Sequence, residues 1–255
     1  MLSVEVSVDY PQKKGVLRDL RIDVLPGEVV GLVGQSGSGK STLALALLHL
    51  LGHTGAKVSG RIVLLGKDLA SYSERQMRDV RGRLMSLIPQ SPAAALNPAL
   101  RIGAQMREAW RAHSRESWSS QTERVMALLA SASLPSEEAF LRRFPGEISV
   151  GQAQRVLIVM SLLHSPALLI ADEPTSALDL ITQRDVLDLI ARIKAERHMS
   201  VLLISHDLVS AARLCHRMAI LHEGMIVECS PPKQLLTSPA HPYTQKLVQA
   251  LPKWQ

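Results

Sequence analysis

Gly34-Gln35-Ser36-Gly37-Ser38-Gly39-Lys40-Ser41-Thr42 is the stretch whose reading decides the fold. It fits the pattern G-x-x-x-x-G-K-[ST], and its flanks suit it. Val29-Val30-Gly31-Leu32-Val33 before it has the length and β-branched content of a buried strand. Leu43 to Leu51 after it is a run of good helix formers, and Gly52 is expected as its C-cap. Strand, glycine loop and helix together form a cradle in which backbone N–H groups converge on a phosphate at the positive end of the helix. Lys40 is expected to reach the β- and γ-phosphates, and the Ser41 hydroxyl to ligate Mg²⁺. The competing reading, a Gly/Ser turn with an exposed lysine, needs neither flank. The stretch therefore points to nucleoside triphosphate binding.

The rest of the composition bounds this reading without sharpening it. The chain has 255 residues, 46% of them hydrophobic, enough for one large domain or a domain with a lobe. No apolar run approaches a membrane span, and Met1-Leu2-Ser3-Val4-Glu5 has neither the basic start nor the apolar core of a signal peptide. Two cysteines, Cys215 and Cys229, suit a reducing compartment and no zinc or disulfide framework. A net charge of +6, spread along the chain, selects no partner. His49, His53, His164, His216 and His222 are scattered and suggest no metal cluster.

Leu2, Val4, Val6 and Val8 alternate with polar residues, a half-buried strand that delivers Tyr10 to a Lys- and Gly-containing loop. Further strands are expected at residues 20–24, 61–66 and 85–88, with Ser73 and Gln76 forming a capping box between the last two. From 91 to 165 helical signals replace strand signals, including a helix over 102–115 and a Ser120-x-x-Glu123 cap. The core pattern resumes at Ala167-Leu168-Leu169-Ile170-Ala171-Asp172-Glu173. A helix over 182–196 and a buried strand at 200–205 ending at His206 come next, then a hairpin around Glu223-Gly224. The fold class expected is α/β, a single domain over 1–255 with an antiparallel β lobe from the N-terminal third. A helical lobe lies near 91–165 and a Pro-punctuated tail near 231–255.

An apolar strand ending in Asp172-Glu173 supplies what a phosphate loop lacks: one carboxylate for Mg²⁺ and a second to polarise an attacking water. Ser149 followed by Gln152 is a capping box whose hydroxyl and free N–H groups make an anion site, or else an ordinary helix cap. With these elements the chain resembles an ATP-binding cassette (ABC) ATPase along essentially its whole length. Leu168 to Asp179 looks like that family's second phosphate-site strand with the loop after it. Ile148-Ser149-Val150-Gly151-Gln152-Ala153-Gln154-Arg155 looks like its signature motif, with Val150 where the family usually has glycine. The resemblance implies that Tyr10 stacks on adenine and that Gly34 to Thr42 hold ATP. Ser41, Gln90 and Asp172 would hold Mg²⁺, Glu173 would act as general base, and Gln90 and His206 would complete the catalytic set. Ser149, Gly151 and Gln152 would close on ATP held by a second subunit, with Asp179 at the seam.

Pro89-Gln90-Ser91-Pro92 through Asn97-Pro98, and the tail His241-Pro242-Tyr243-Thr244 through Ala250-Leu251-Pro252, are similar to the dipeptide, oligopeptide and nickel importer branch. The short tail is most similar to nickel or metal-chelate members. The branch implies ATP and Mg²⁺ as cofactors and a second ABC ATPase subunit, identical or not. It also implies two membrane permease subunits and an extracytoplasmic solute-binding protein, with no nucleic acid, and a peripheral place on the cytoplasmic face of the bacterial inner membrane. The alternative is a non-transport ABC ATPase working on nucleic acid or ribosomes. A GTPase or simple kinase would share only the phosphate loop.

Overall fold

The computed structural model describes residues 1–176 and 178–251; Ala177 and the end of the tail from Pro252 lie outside them. The chain opens with β1 (Leu2–Asp9), β2 (Leu17–Val24), β3 (Val29–Val33) and α1 (Lys40–Leu47). β4 (Lys57–Leu64), β5 (Lys67–Asp68), α2 (Glu74–Val80) and β6 (Met85–Ile88) follow. Then come α3 (Pro92–Ala95), α4 (Ile102–Arg111), α5 (Thr122–Ser131), α6 (Glu138–Leu141) and α7 (Val150–Leu162). The chain continues through β7 (Leu168–Asp172), α8 (Leu180–Arg197), β8 (Ser200–Ser205) and α9 (Leu208–Ala212). It closes with β9 (Arg217–His222), β10 (Met225–Ser230), α10 (Pro232–Thr237) and α11 (Pro242–Gln249). These elements fall into two compact units, Met1–Met77 with Ser200–Gln255, and Arg78–Met199.

In the first unit β1 pairs antiparallel with both β2 and β4, and β5 extends β4. Alternation along β1 buries Leu2, Val4, Val6 and Val8 and leaves the residues between them outside. β3 pairs in parallel with β8 on one edge and β9 on the other, and it is buried along its whole length, as a strand covered on both faces is. β10 completes the hairpin against β9. Ser73 and Gln76 exchange the expected capping-box bonds, at 2.8 and 3.4 Å.

Three local expectations need correction here. β2 begins at Leu17 and β4 at Lys57, because pairing with β1 extends both beyond their alternating segments. α1 stops at Leu47, well before Gly52. His49 takes the left-handed conformation (φ 53°), its N–H reaching Ala46 O at 3.0 Å while Leu50 N–H reaches Leu45 O at 2.9 Å. That bond pair closes the helix as a Schellman motif built on a non-glycine residue, and Gly52 instead opens a short 3₁₀ turn.

The second unit holds the expected helical stretch together with a parallel pair, β6 and β7, and the long helix α8. Its core is aliphatic, with Met106, Leu128, Leu129, Val156, Val159, Ile170 and Ile190 almost wholly buried. The helix from Ile102 closes at Arg111, where His113 and Ser114 bond back to the Trp110 carbonyl. The Ser120 cap does not form. Ser120 lies in a 3₁₀ turn, its hydroxyl donating to Ser117 O at 2.8 Å, and α5 starts at Thr122 without a side-chain cap. Among the described residues no helix is long and apolar enough to cross a membrane.

Candidate functional site

The phosphate loop joins β3 to α1 in the first unit. Gly39 lies at φ 109°, a conformation that side chains disfavour, and a Cβ there would stand 2.6 Å from Leu17 Cδ2. No side chain caps α1 at this end, so the first N–H groups of the helix remain directed at the loop. Lys40 is only 5% exposed, and its ammonium donates to Gly34 O at 2.8 Å and Gln35 O at 3.0 Å. Ser38 Oγ is buried with no hydrogen-bond partner among the described residues. A buried cation, an open helix N-terminus and an unsatisfied hydroxyl on one loop suit phosphate oxygens. Ser41 is exposed at the first turn, and no cluster of three or more His, Cys, Asp or Glu forms a metal site among the described residues. The Ser41 hydroxyl is a hard oxygen donor of the kind that Mg²⁺ takes.

Tyr10 leaves β1 beside this loop, its hydroxyl 3.5 Å from Thr42 Oγ1. His206 is set by register: Val33 pairs with Ser205, so the next residues, Gly34 and His206, leave adjacent parallel strands at one level. Asp207 after it caps α9, accepting from Val209 N and Ser210 N.

In the second unit the same logic brings Gln90 to Glu173. Ile88 pairs with Ala171, so the chain leaves β6 level with Asp172 and Glu173, and Gln90 Nε2 donates to Glu173 Oε2 at 2.9 Å. Asp172 closes β7 at 8% exposure, and Glu173 turns the chain through φ 47°.

Ser149 caps α7 as expected. Its hydroxyl accepts from Gln152 N at 3.2 Å, and Gln152 Oε1 accepts from Ser149 N at 3.1 Å. Ser149, Val150, Gly151 and Gln152 line a cavity of about 620 Å³ together with Asp179 and Thr182. Asp179 caps α8, and hydrogen bonds from Thr182 and then Ile181 hold its carboxyl below the usual range. The contacts of Arg155, and the ring group around His164, were not read from the sequence. Arg155 also lines the cavity, ion-paired to Asp185 at 3.2 Å, across a separation of 30 residues that no short motif spans. In the same unit Trp110 stacks on His164 at 4.8 Å, and His113, a histidine outside the five named above, meets His164 edge-on at 5.0 Å.

The tail is moored within the first unit. Glu228 accepts from Ala240 N and His241 N, each at 2.9 Å, and Tyr243 stacks on His222 at 3.7 Å.

A family profile described as "ABC transporter" matches residues 17–176, and one described as "Oligopeptide/dipeptide transporter, C-terminal region" matches 227–255. The chain is 40% identical over 237 residues to the probable peptide ABC transporter ATP-binding protein y4tR of Sinorhizobium fredii, covering 92% of this chain and 71% of that protein. It is 37% identical over 231 residues to the dipeptide transport ATP-binding protein DppD of Escherichia coli K12, covering 91% and 71%. Its fold matches the dimeric ATP-binding cassette MJ0796 bound to ADP and Pi, with a TM-score of 0.78 at 24% identity, over 91% of this chain and 99% of that one.

Proposed function

Because the chain belongs to the ABC transporter ATPase family, we propose that it is the ATP-hydrolysing subunit of a peptide importer. It is an ATPase whose hydrolysis is coupled to transport. The tail carries the importer reading: residues 227–255 match the oligopeptide/dipeptide C-terminal region, and the relatives at 37–40% identity bear peptide or dipeptide names. Nickel or a metal chelate, suggested by the brevity of the tail, finds no counterpart in those names.

In this reading Gly34 to Thr42 bind the triphosphate, with Lys40 leaving the Gly34 and Gln35 carbonyls to pair with the β- and γ-phosphates. Tyr10 takes the adenine face. Ser41, Gln90 and Asp172 would hold Mg²⁺, which neutralises developing phosphate charge when bound. Glu173 accepts a proton from the attacking water, and His206 donates to the γ-phosphate as charge builds on it. Ser149, Gly151 and Gln152 of a second ATPase subunit close the site from the other side. The pair works on two membrane permease subunits at the cytoplasmic face of the bacterial inner membrane, with an extracytoplasmic solute-binding protein delivering cargo.

Uptake assays on cells with this chain deleted and restored test the cargo. Loss and recovery of labelled dipeptide uptake is expected; loss of labelled nickel uptake with dipeptide uptake intact would overturn the peptide assignment.

A further inference from the structure

We propose that Arg155 is a positioning residue for the anion cavity at Ser149, holding the first turns of α7 against α8 through its ion pair with Asp185. The inference rests on the reading above, that this cavity receives a γ-phosphate held by a second subunit.

The contact between the two helices is fixed at two points. At the first, a Cβ on Gly151 would stand 2.9 Å from Thr182 Cγ2, so the helices approach as closely as a glycine allows. Thr182 cannot rotate away freely, because its hydroxyl donates to Asp179 Oδ2 at 2.7 Å. One turn further along α7, Arg155 Nη2 lies 3.2 Å from Asp185 Oδ2. Its Nη1 lies 3.4 and 3.5 Å from the Ala132 and Ser133 carbonyls beyond the end of α5. Arg192 of α8 donates to the Ser131 carbonyl beside them. Two guanidinium groups, one from each helix, thus gather on the carbonyl end of α5 and tie three helices together below the capping turn.

Arginine suits this place because one rigid planar fork presents separate N–H groups to a carboxylate and two carbonyls in fixed directions, whereas an ammonium offers its three donors from a single point. The Arg155 side chain is 18% exposed and Asp185 52%, so the pair is partly solvated and adds little to stability. Its effect is geometric instead. Ser149 Oγ and the N–H groups of the first turn act on an anion only at hydrogen-bond range, and displacement by roughly 1 Å can cost about a hundredfold in rate. A residue that locates this turn should therefore alter turnover far more than it alters melting.

The test uses the complete transporter, with its permease and ATPase subunits, and measures ATP turnover, KM for ATP and thermal melting. Arg155→Gln is expected to lower kcat by about tenfold with KM and melting little changed. Arg155→Lys should retain part of the rate, and Asp185→Asn should match Arg155→Gln, with the double variant no worse than either. Exchanging the pair, Arg155→Asp with Asp185→Arg, should recover part of the turnover. Parental turnover in Arg155→Gln, or single losses that multiply in the double variant, would overturn the proposal. If Arg155→Gln does not fold, a folded exchanged pair without recovery overturns it equally. Ser149→Ala separates the two readings. If its turnover is normal, the cavity is not a γ-phosphate site. If it is slow while Arg155→Gln is normal, only the positioning role falls.

Discussion

Gln90 Nε2 donates a 2.9 Å hydrogen bond to Glu173 Oε2, joining the segment after β6 to the residue after β7. The bond follows from the pairing of Ile88 with Ala171 and places an amide on the carboxylate proposed above as base. A Glu173→Gln variant keeps an oxygen that accepts this bond, so the local fold should persist while the base is lost. Turnover should fall by about 10²–10⁴-fold, the range of a general base, with ATP still bound. Nucleotide titration and phosphate release on one preparation check both halves; near-normal release refutes the assignment.

Lys40 provides a second, independent test. Its ammonium is buried and donates to the carbonyls of Gly34 and Gln35, so in Lys40→Ala two loop carbonyls lose a charged donor along with the phosphates. Charge-assisted hydrogen bonds are worth about 1.5–3 kcal/mol each, so ATP affinity should fall by roughly ten- to a hundredfold or more. Fluorescent-nucleotide titration of the chain alone measures this, and unchanged affinity would place the triphosphate elsewhere.

The Ser149 cap, and the strand and helix ends beside which the phosphate loop, Tyr10, Gln90, Asp172, Glu173 and His206 stand, were legible because each follows from local periodicity or capping letters. What escaped depended on contacts distant in sequence or on competition at helix ends. Arg155 and Asp185 carry no mutual signal across α7, β7 and the turn into α8. The end of α1 was misplaced because His49, not Gly52, adopts the left-handed conformation, at a cost that the two Schellman bonds offset. Ser120 and Glu123 have the letters of a capping box, but a 3₁₀ turn takes the serine hydroxyl first.

The aromatic group of the second unit should make the chain sensitive to acid. Burial, reinforced by Arg83, depresses His113 below its ordinary value of 6.5, against the attraction of Asp79. His164 is depressed first by burial, then by His113, Arg124 and Arg83, against its bond to the Ala109 carbonyl. Arg124 also lies over the Trp110 ring. Both histidines stay neutral in the folded chain at pH values where the unfolded chain binds protons. Their contribution is therefore full above about pH 6.5 and is lost as pH falls through the interval down to the depressed folded values. Urea midpoints should drop between pH 7.5 and 5.5, and drop less in His164→Gln. An identical drop in both chains would remove this cause.

Val150 lines the Ser149 cavity and is the residue to vary to test how that cavity receives an anion. It is the first residue of α7 and has a helical backbone, so valine is not strained there; the residue is 53% exposed and lines the cavity. If its β-branched side chain stands between a phosphate and the N–H groups of the first turn of α7, it weakens their hydrogen bonds to that anion. Val150→Gly uncovers those donors, at a cost to the chain of about 0.5–1 kcal/mol for glycine within a helix. ATP turnover in the assembled transporter should rise severalfold while the urea midpoint of the chain falls slightly. If turnover stays level while the midpoint falls, the side chain already clears the bound phosphate, and the cavity closes as well with valine as with glycine.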